Sequence, residues 1–374
     1  RVQRKTASHE FSINNFRDYM ADVFMEHAEK VLTKLQGYSD DGVTFDAQKL
    51  FAAFTLESIG KVGFGVSLGE LDSEQGTGFG NAFDLCVNAS SLRVIGYPWR
   101  ILNFFNVGPE KGFNAAKKIL DDFSYGVINE RRADGKDVLQ GKKDILSRFM
   151  CLEDPSTRKP YNDEYLRDVV INFIIAGRDT TSVTLTWVFY ELSRHPELEA
   201  TLRQEIQDKI GENDPTWDNL TPTHMPYLHS FITESLRLHP PVPLDIKVAE
   251  QADVLPSGES VAAGEFVGYV PYAMARQESI YEAADNFDPK RWLDEKERIK
   301  PVNQFKFPVF QAGPRICLGI NMAYLEVKMM VVMILRKFSL KGDPSHQATY
   351  NTSVTLFMKG GFPCTVTPAP EGLR

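Results

Sequence analysis

Phe310-Gln-Ala-Gly313-Pro-Arg315-Ile-Cys317-Leu-Gly319 lies directly ahead of the last strongly apolar helical stretch of the chain. The residue types in this loop decide how the rest is read. Cys317 stands at the start of a predicted helix. Unpaired N–H groups and the helix dipole there favour negative charge, so the thiol is expected to shift towards thiolate. Gly313 and Gly319 permit a tight turn and a close backbone approach to a flat ligand. Arg315 is placed to meet an anionic group of that ligand, and Phe310 to shield the sulfur from water. A lone cysteine beside a glycine turn is more often a buried structural residue. Here, five specified positions at fixed spacing describe a thiolate axial ligand to haem iron.

A helix over 318–338 follows the loop, with the apolar run Met329 to Leu335 inside it. The longest helical pattern covers 162–194, with Asn162 or Asp163 as its cap and His195-Pro196 as its stop. It contains Ala176-Gly177-Arg178-Asp179-Thr180-Thr181. A mid-helix Gly costs about 1 kcal/mol against Ala, and a Thr hydroxyl that bonds back to the preceding turn bends a helix. Such residues suit either a close helix–helix crossing or a local opening for a ligand. Glu234 and Arg237 share one face of a helix predicted over 226–238. An isolated pair of this kind is ordinarily a solvated surface ion pair.

Further upstream, Phe16, Met20, Val23, Phe24, Val31, Leu32 and Leu35 recur at three-and-four spacing, which predicts a helix stopped by Gly37. Other helices are predicted over 45–62, 106–132 and 197–211. Short apolar pieces broken by Pro, Gly and Asp over 242–271 predict a small sheet, and 353–366 reads as a hairpin around Gly360-Gly361. There is no internal repeat or low-complexity tract. The class is mainly α with a small β-sheet region, in one domain over 1–374.

Composition removes several functions. The chain has 374 residues, 43% of them hydrophobic, with 25 Phe, 13 Tyr and 4 Trp, too much core-forming surface for disorder. A net charge of −8 argues against a general nucleic-acid binder. Cys86, Cys151, Cys317 and Cys364 have neither disulfide-scaffold nor zinc spacing, which points to a reducing compartment. No apolar run approaches the roughly 20 residues of a membrane span.

The pattern F-x-x-G-x-R-x-C-x-G resembles that of the cytochrome P-450 haem-thiolate enzymes. The resemblance implies the cytochrome P-450 fold, with a long central helix over haem b (iron protoporphyrin IX) and Cys317 as the iron ligand. Glu234 and Arg237 resemble the family's E-x-x-R pair. Phe287-Asp-Pro-Lys-Arg291-Trp292 resembles the segment whose Arg completes a buried Glu–Arg–Arg network, here assigned to hold the cysteine loop. Gly177 is implied to open the helix, Thr180 to hydrogen-bond the bound dioxygen, and Asp179 to relay protons. Arg4 matches the propionate-binding Arg of a W-x-x-x-R helix whose Trp falls one residue before Arg1. Lys247 matches a position that often carries a basic propionate partner, and Val242, Pro243 and Leu244 are implied to line the substrate channel.

The resemblance runs from Arg1 to about Thr367, and the chain looks N-terminally truncated. The family's membrane anchor and first strands lie outside it, with membrane association through that missing N-terminus. AGRDTTS, RLHPPVPLDIKVAEQADVLPSGESV and YVPYAMAR are most similar to eukaryotic fatty-acid omega-hydroxylases. This implies a monooxygenase that puts one atom of O2 at or near the methyl end of a long-chain fatty acid. Electrons are implied to come from NADPH through a cytochrome reductase, at the cytosolic face of the endoplasmic reticulum membrane. Two other readings stay open, an oxygen-independent isomerase or dehydratase on the same fold and a haem-binding non-enzyme. The intact Asp179-Thr180 pair argues against the first.

Overall fold

The computed structural model describes residue 4 and residues 14–94, 96, 98–154, 157–351 and 354–370. α1 (Asn14–Asp41) buries the expected face, from Phe16 to Leu35. It runs through Gly37, the predicted stop, and ends ahead of Gly42 at φ +62°. The helix penalty of one exposed Gly is small beside the burial of seven large side chains. After β1 (Phe45–Asp46), α2 (Ala47–Phe64) starts where the Asp46 carboxylate accepts from the Gln48 and Lys49 N–H groups. α3 (Gly78–Val94), α4 (Trp99–Phe105) and α5 (Pro109–Asp134) follow, with α3 packed along α5. Pro109 at the first helical position sets the start of α5, three residues after the predicted one. α6 (Lys136–Gly141) and α7 (Ile145–Met150) lead to the central helix.

α8 (Asp163–Arg194) is 32 residues long and is capped by Asn162, whose side chain accepts from the Tyr165 N–H. Every residue from Thr181 to Phe189 is buried, so this half of α8 runs through the core with no solvent face. α2 packs along it. α9 (Pro196–Lys209) and α10 (Pro226–Leu238) complete the helical middle.

The predicted sheet over 242–271 is two antiparallel ribbons. β2 (Asp245–Val248) pairs with β5 (Phe266–Tyr269), setting Asp245 opposite Tyr269, and β3 (Asp253–Val254) pairs with β4 (Ser260–Val261). α11 (Pro271–Met274) precedes the irregular stretch that carries the cysteine loop, and α12 (Ile320–Lys337) follows that loop. β6 (Phe338–Gly342) and β7 (Pro363–Pro368) join β1 in a sheet of order β1-β7-β6.

The hairpin expected over 353–366 therefore does not form. β7 pairs instead with β6, Leu340 facing Val366, and with β1, Phe45 facing Cys364. Gly360 and Gly361, at φ +82° and +80°, form the turn into β7. A Cβ at Gly361 would collide with the Asp46 carboxylate, which also accepts from the Phe362 N–H. The glycines thus serve contact with the cap of α2. Among the described residues, no helix is long and apolar enough to cross a membrane.

Candidate active site: a cysteine loop facing the central helix

The cysteine loop is two short 3-10 turns, Pro308–Phe310 and Gly313–Arg315, ahead of α12. Gly313 is left-handed at φ +68°, as a tight turn requires. Gln311 also takes a left-handed conformation, φ +67°, which the glycine pattern does not foretell. Its side chain is held by the Tyr269 hydroxyl, which also donates to Asp245 at 2.9 Å. The Cys317 N–H donates to the Phe310 carbonyl at 2.8 Å and closes the loop. Phe310 lies against Tyr324, ring centroids 5.5 Å apart.

Cys317 lies three residues before the first helical residue of α12, with Gly319 as the cap. Burial in the loop pushes its thiol pKa up, while the Gly319 N–H bonded to sulfur and the nearby Arg4 pull it down. The net shift is upward, opposite to the expectation from a helix start.

Cys317 opens into a cavity of about 680 Å³ between the loop and α8. Arg4, Phe310, Arg315, Gly319, Gly177 and Thr180 also line it, with an apolar lining from Ile59, Phe173, Ile175, Ile232, Leu236 and Val309. The sequence thus identified residues from both ends of the chain that meet at one cavity. Arg4 donates to the Ile316 carbonyl beside Cys317. Val242 is on the wall, whereas Leu244 is half exposed.

On α8, the Thr180 hydroxyl faces the cavity and donates to the Ala176 carbonyl at 2.7 Å. Gly177 is also the crossing point with α2, where an added Cβ would sit 3.0 Å from Ile59 Cδ1 and Cγ1. Gly177 thus serves the close crossing and also stands on the cavity wall, within an unbroken helix. Gly177→Val is expected to overpack the crossing and lower stability by about 1–3 kcal/mol. Thermal unfolding measures this, and Ile59→Ala in the same chain is expected to recover part of the loss.

Three expected site residues lie off the cavity wall, and one of them, Gly313, shapes the turn of the loop instead. Asp179 is buried off the cavity wall, with its carboxylate 3.1 Å from Arg178 Nη1. Neighbouring residues on a helix point in different directions, so adjacency to Thr180 does not bring the side chains together. Lys247 is an exposed residue of β2 paired with Asp245 at 2.6 Å, and it does not line the cavity. Lys247 lies on the same face of β2 as Asp245, and its ammonium stops at that carboxylate, which Tyr269 connects to Gln311 of the cysteine loop.

The family model for cytochrome P450 matches residues 1–361. The chain belongs to the cytochrome P450 family. Cytochrome P450 704B1 of Arabidopsis thaliana is 37% identical over 408 residues, an alignment covering 98% of this chain and 77% of that protein. Cytochrome P450 704C1 of Pinus taeda is 35% identical, over 98% and 76% of the two chains. In three dimensions the chain is similar to a crystal structure of the cytochrome P450DA heme domain, with a TM-score of 0.84 at 24% identity. That alignment covers 99% of this chain and 77% of that one.

This P450 is a monooxygenase, and the family cofactor is haem. The residues present fit that group. One sulfur donor and two guanidinium groups share a cavity wall, a donor set suited to a flat metal complex with anionic edge groups. The cavity volume falls in the usual range for cofactor and ligand sites, roughly 300–1,000 Å³.

The P450 loop is supported from behind by a buried ion network. Arg237 Nε and Nη2 donate to the two Glu234 carboxylate oxygens at 2.8 and 2.7 Å. Arg237 also donates to the carbonyls of Ala275, Ala284 and Asn286. Glu234 accepts from Trp292 Nε1 at 2.8 Å and from the Asp288 N–H at 2.9 Å, and Arg291 Nε lies 3.4 Å away. Trp292 packs edge-on to Phe307, and the Tyr281 hydroxyl donates to the Lys306 carbonyl, both at the entry to the loop. The pair is thus buried and fully hydrogen-bonded, unlike a solvated surface pair.

The sequence reading passed over Glu326, which also borders the P450 cavity. Burial pushes its carboxyl well above the usual range, and Oε1 has no hydrogen-bond partner among the described residues. It passed over the pairing of Arg178 as well. Only the Arg178-Asp179 adjacency hinted at that.

Proposed function

We propose that this P450 inserts one atom of dioxygen into a C–H bond at or near the methyl end of a long-chain fatty acid. The balance is RH + O2 + 2 e− + 2 H+ giving ROH + H2O. Two electrons come from NADPH through a flavoprotein reductase, at the cytosolic face of the endoplasmic reticulum membrane. The observation that carries the reading is Cys317 and Thr180 on one cavity whose remaining wall is largely apolar. An alkyl chain suits that wall, and the AGRDTTS and RLHPPVPLDIKV stretches support the fatty acid.

When bound, haem supplies the redox centre at which dioxygen is reduced. Cys317 would hold its iron through sulfur, and the Gly319 N–H on that sulfur would damp its electron donation. Arg4 and Arg315 neutralise the anionic edge. Phe310 and the apolar wall keep water from the sulfur and from the reacting C–H bond. At rest the Thr180 hydroxyl donates a hydrogen bond to the Ala176 carbonyl, and it must turn that O–H into the cavity to assist oxygen reduction. Asp179, once it has left Arg178, takes up a proton from solvent and passes it to the Thr180 oxygen.

Product labelling under heavy-isotope oxygen, with reductase, NADPH and a panel of fatty acids, tests the reaction. One labelled atom in a terminal or near-terminal hydroxyl is expected, and unlabelled product would overturn the reading. Thr180→Ala is expected to keep haem but divert NADPH electrons to peroxide several-fold more often. Unchanged product per NADPH would remove Thr180 from the relay.

A further inference from the structure

Arg178 is 6% exposed, and a single nitrogen, Nη1, bridges two carboxylates. One is Asp179, its neighbour on α8, and the other is Asp84 on α3. Phe83, beside Asp84, lies under the guanidinium at 5.2 Å from the ring centroid. Nε of Arg178 has no partner among the described residues. The two carboxylates differ in surroundings, for the Asp84 side chain is 52% exposed and that of Asp179 only 5%. Asp179 is therefore held in the core by a group that also has a second, water-exposed partner.

This bears on the relay, which requires Asp179 to release Arg178 and turn towards Thr180. Were Asp179 the sole partner, its departure would strand a buried guanidinium, and breaking such a pair is strongly unfavourable. With Asp84 in place, Arg178 stays paired throughout. We propose that Asp84 is a positioning residue of the oxygenation reaction, keeping Arg178 paired while Asp179 leaves it to carry a proton towards Thr180. Asp84 sits on α3 and Asp179 on α8, so the relative placement of these two helices governs the exchange. The proposal rests on the relay described above.

A cofactor-independent test is a double-mutant cycle on thermal unfolding. Asp84→Asn and Asp179→Asn each leave Arg178 one carboxylate, whereas the double variant leaves it none. The fall in Tm of the double variant is expected to exceed the sum of the single falls. Additive falls would show that the two carboxylates do not share Arg178, and the proposal would fail.

The second readout is the partition of NADPH electrons in the haem- and reductase-supplied enzyme. Asp84 is half exposed, so Asp84→Asn folds. It is expected to raise peroxide per NADPH several-fold and to enlarge the solvent isotope effect on turnover, with substrate binding unchanged. Asp84→Glu is expected to restore the parental partition. If Thr180→Ala and Asp179→Asn raise peroxide but Asp84→Asn does not, the role of Asp84 is overturned and the relay stands. If none of the three raises it, the relay itself falls.

Discussion

Cys317→Ser is expected to abolish the long-wavelength Soret band of the reduced, haem-supplied protein under carbon monoxide, and with it monooxygenation. The band reports thiolate ligation of the iron, and a serine hydroxyl would supply neither the soft sulfur donor nor its negative charge. Among the described residues, no other thiol lines the cavity. The other three cysteines are Cys86, Cys151 and Cys364, and none of them lines the cavity. Among the described residues, no group of three or more His, Cys, Asp and Glu is arranged to hold a metal ion. The substitution removes one sulfur and changes little volume, so the fold is expected to survive, with a Tm near that of the parent. A long-wavelength band persisting in Cys317→Ser would assign the ligand to another residue. Loss of both the band and the folded state would call for Cys317→Ala before any assignment.

Glu234→Ala is expected to cost about 3–5 kcal/mol of stability, because it strands the buried Arg237 guanidinium without its carboxylate. At roughly 2 °C per kcal/mol for a chain of this size, Tm falls by the order of 10 °C. The loss extends beyond the ion pair. Glu234 also receives the Trp292 indole and the Asp288 N–H, and Trp292 packs on Phe307 at the entry to the cysteine loop. Haem uptake is therefore expected to weaken along with stability. Differential scanning calorimetry and haem titration check the two effects separately. A Tm within about 2 °C of the parent would show that Arg237 is adequately held by the carbonyls of Ala275, Ala284 and Asn286.

The chemistry of the cavity was legible because it is written locally. Cys317, Arg315, Gly313 and Phe310 lie within eight residues, and turn geometry fixes their relative placement. The same holds for Glu234 and Arg237, where three-residue spacing makes the pair inevitable once the helix forms. α8 and α10 were legible from periodicity and caps, and α10 spans the predicted residues. Gly37 was misread because a glycine can end a helix but need not when the apolar face continues beyond it.

Long-range partner choice was not legible. Lys247 has the right charge and chain position for a cofactor partner, but in the fold its ammonium pairs with the exposed side of Asp245 and stops short of the cavity. Asp179 and Thr180 are neighbours in sequence and diverge in space. Arg178 meets Asp84 across 94 residues of chain, and no pattern near either residue foretells the contact.

By itself the sequence determined the family and most of the helical framework, since turns, caps and helix faces are set by residues a few positions apart. Only the tertiary structure decided which charged residues face the cavity, which sheet β7 joins and which carboxylates share Arg178. Those outcomes depend on how distant surfaces pack, and each buried charge settles on whichever partner that packing brings within reach.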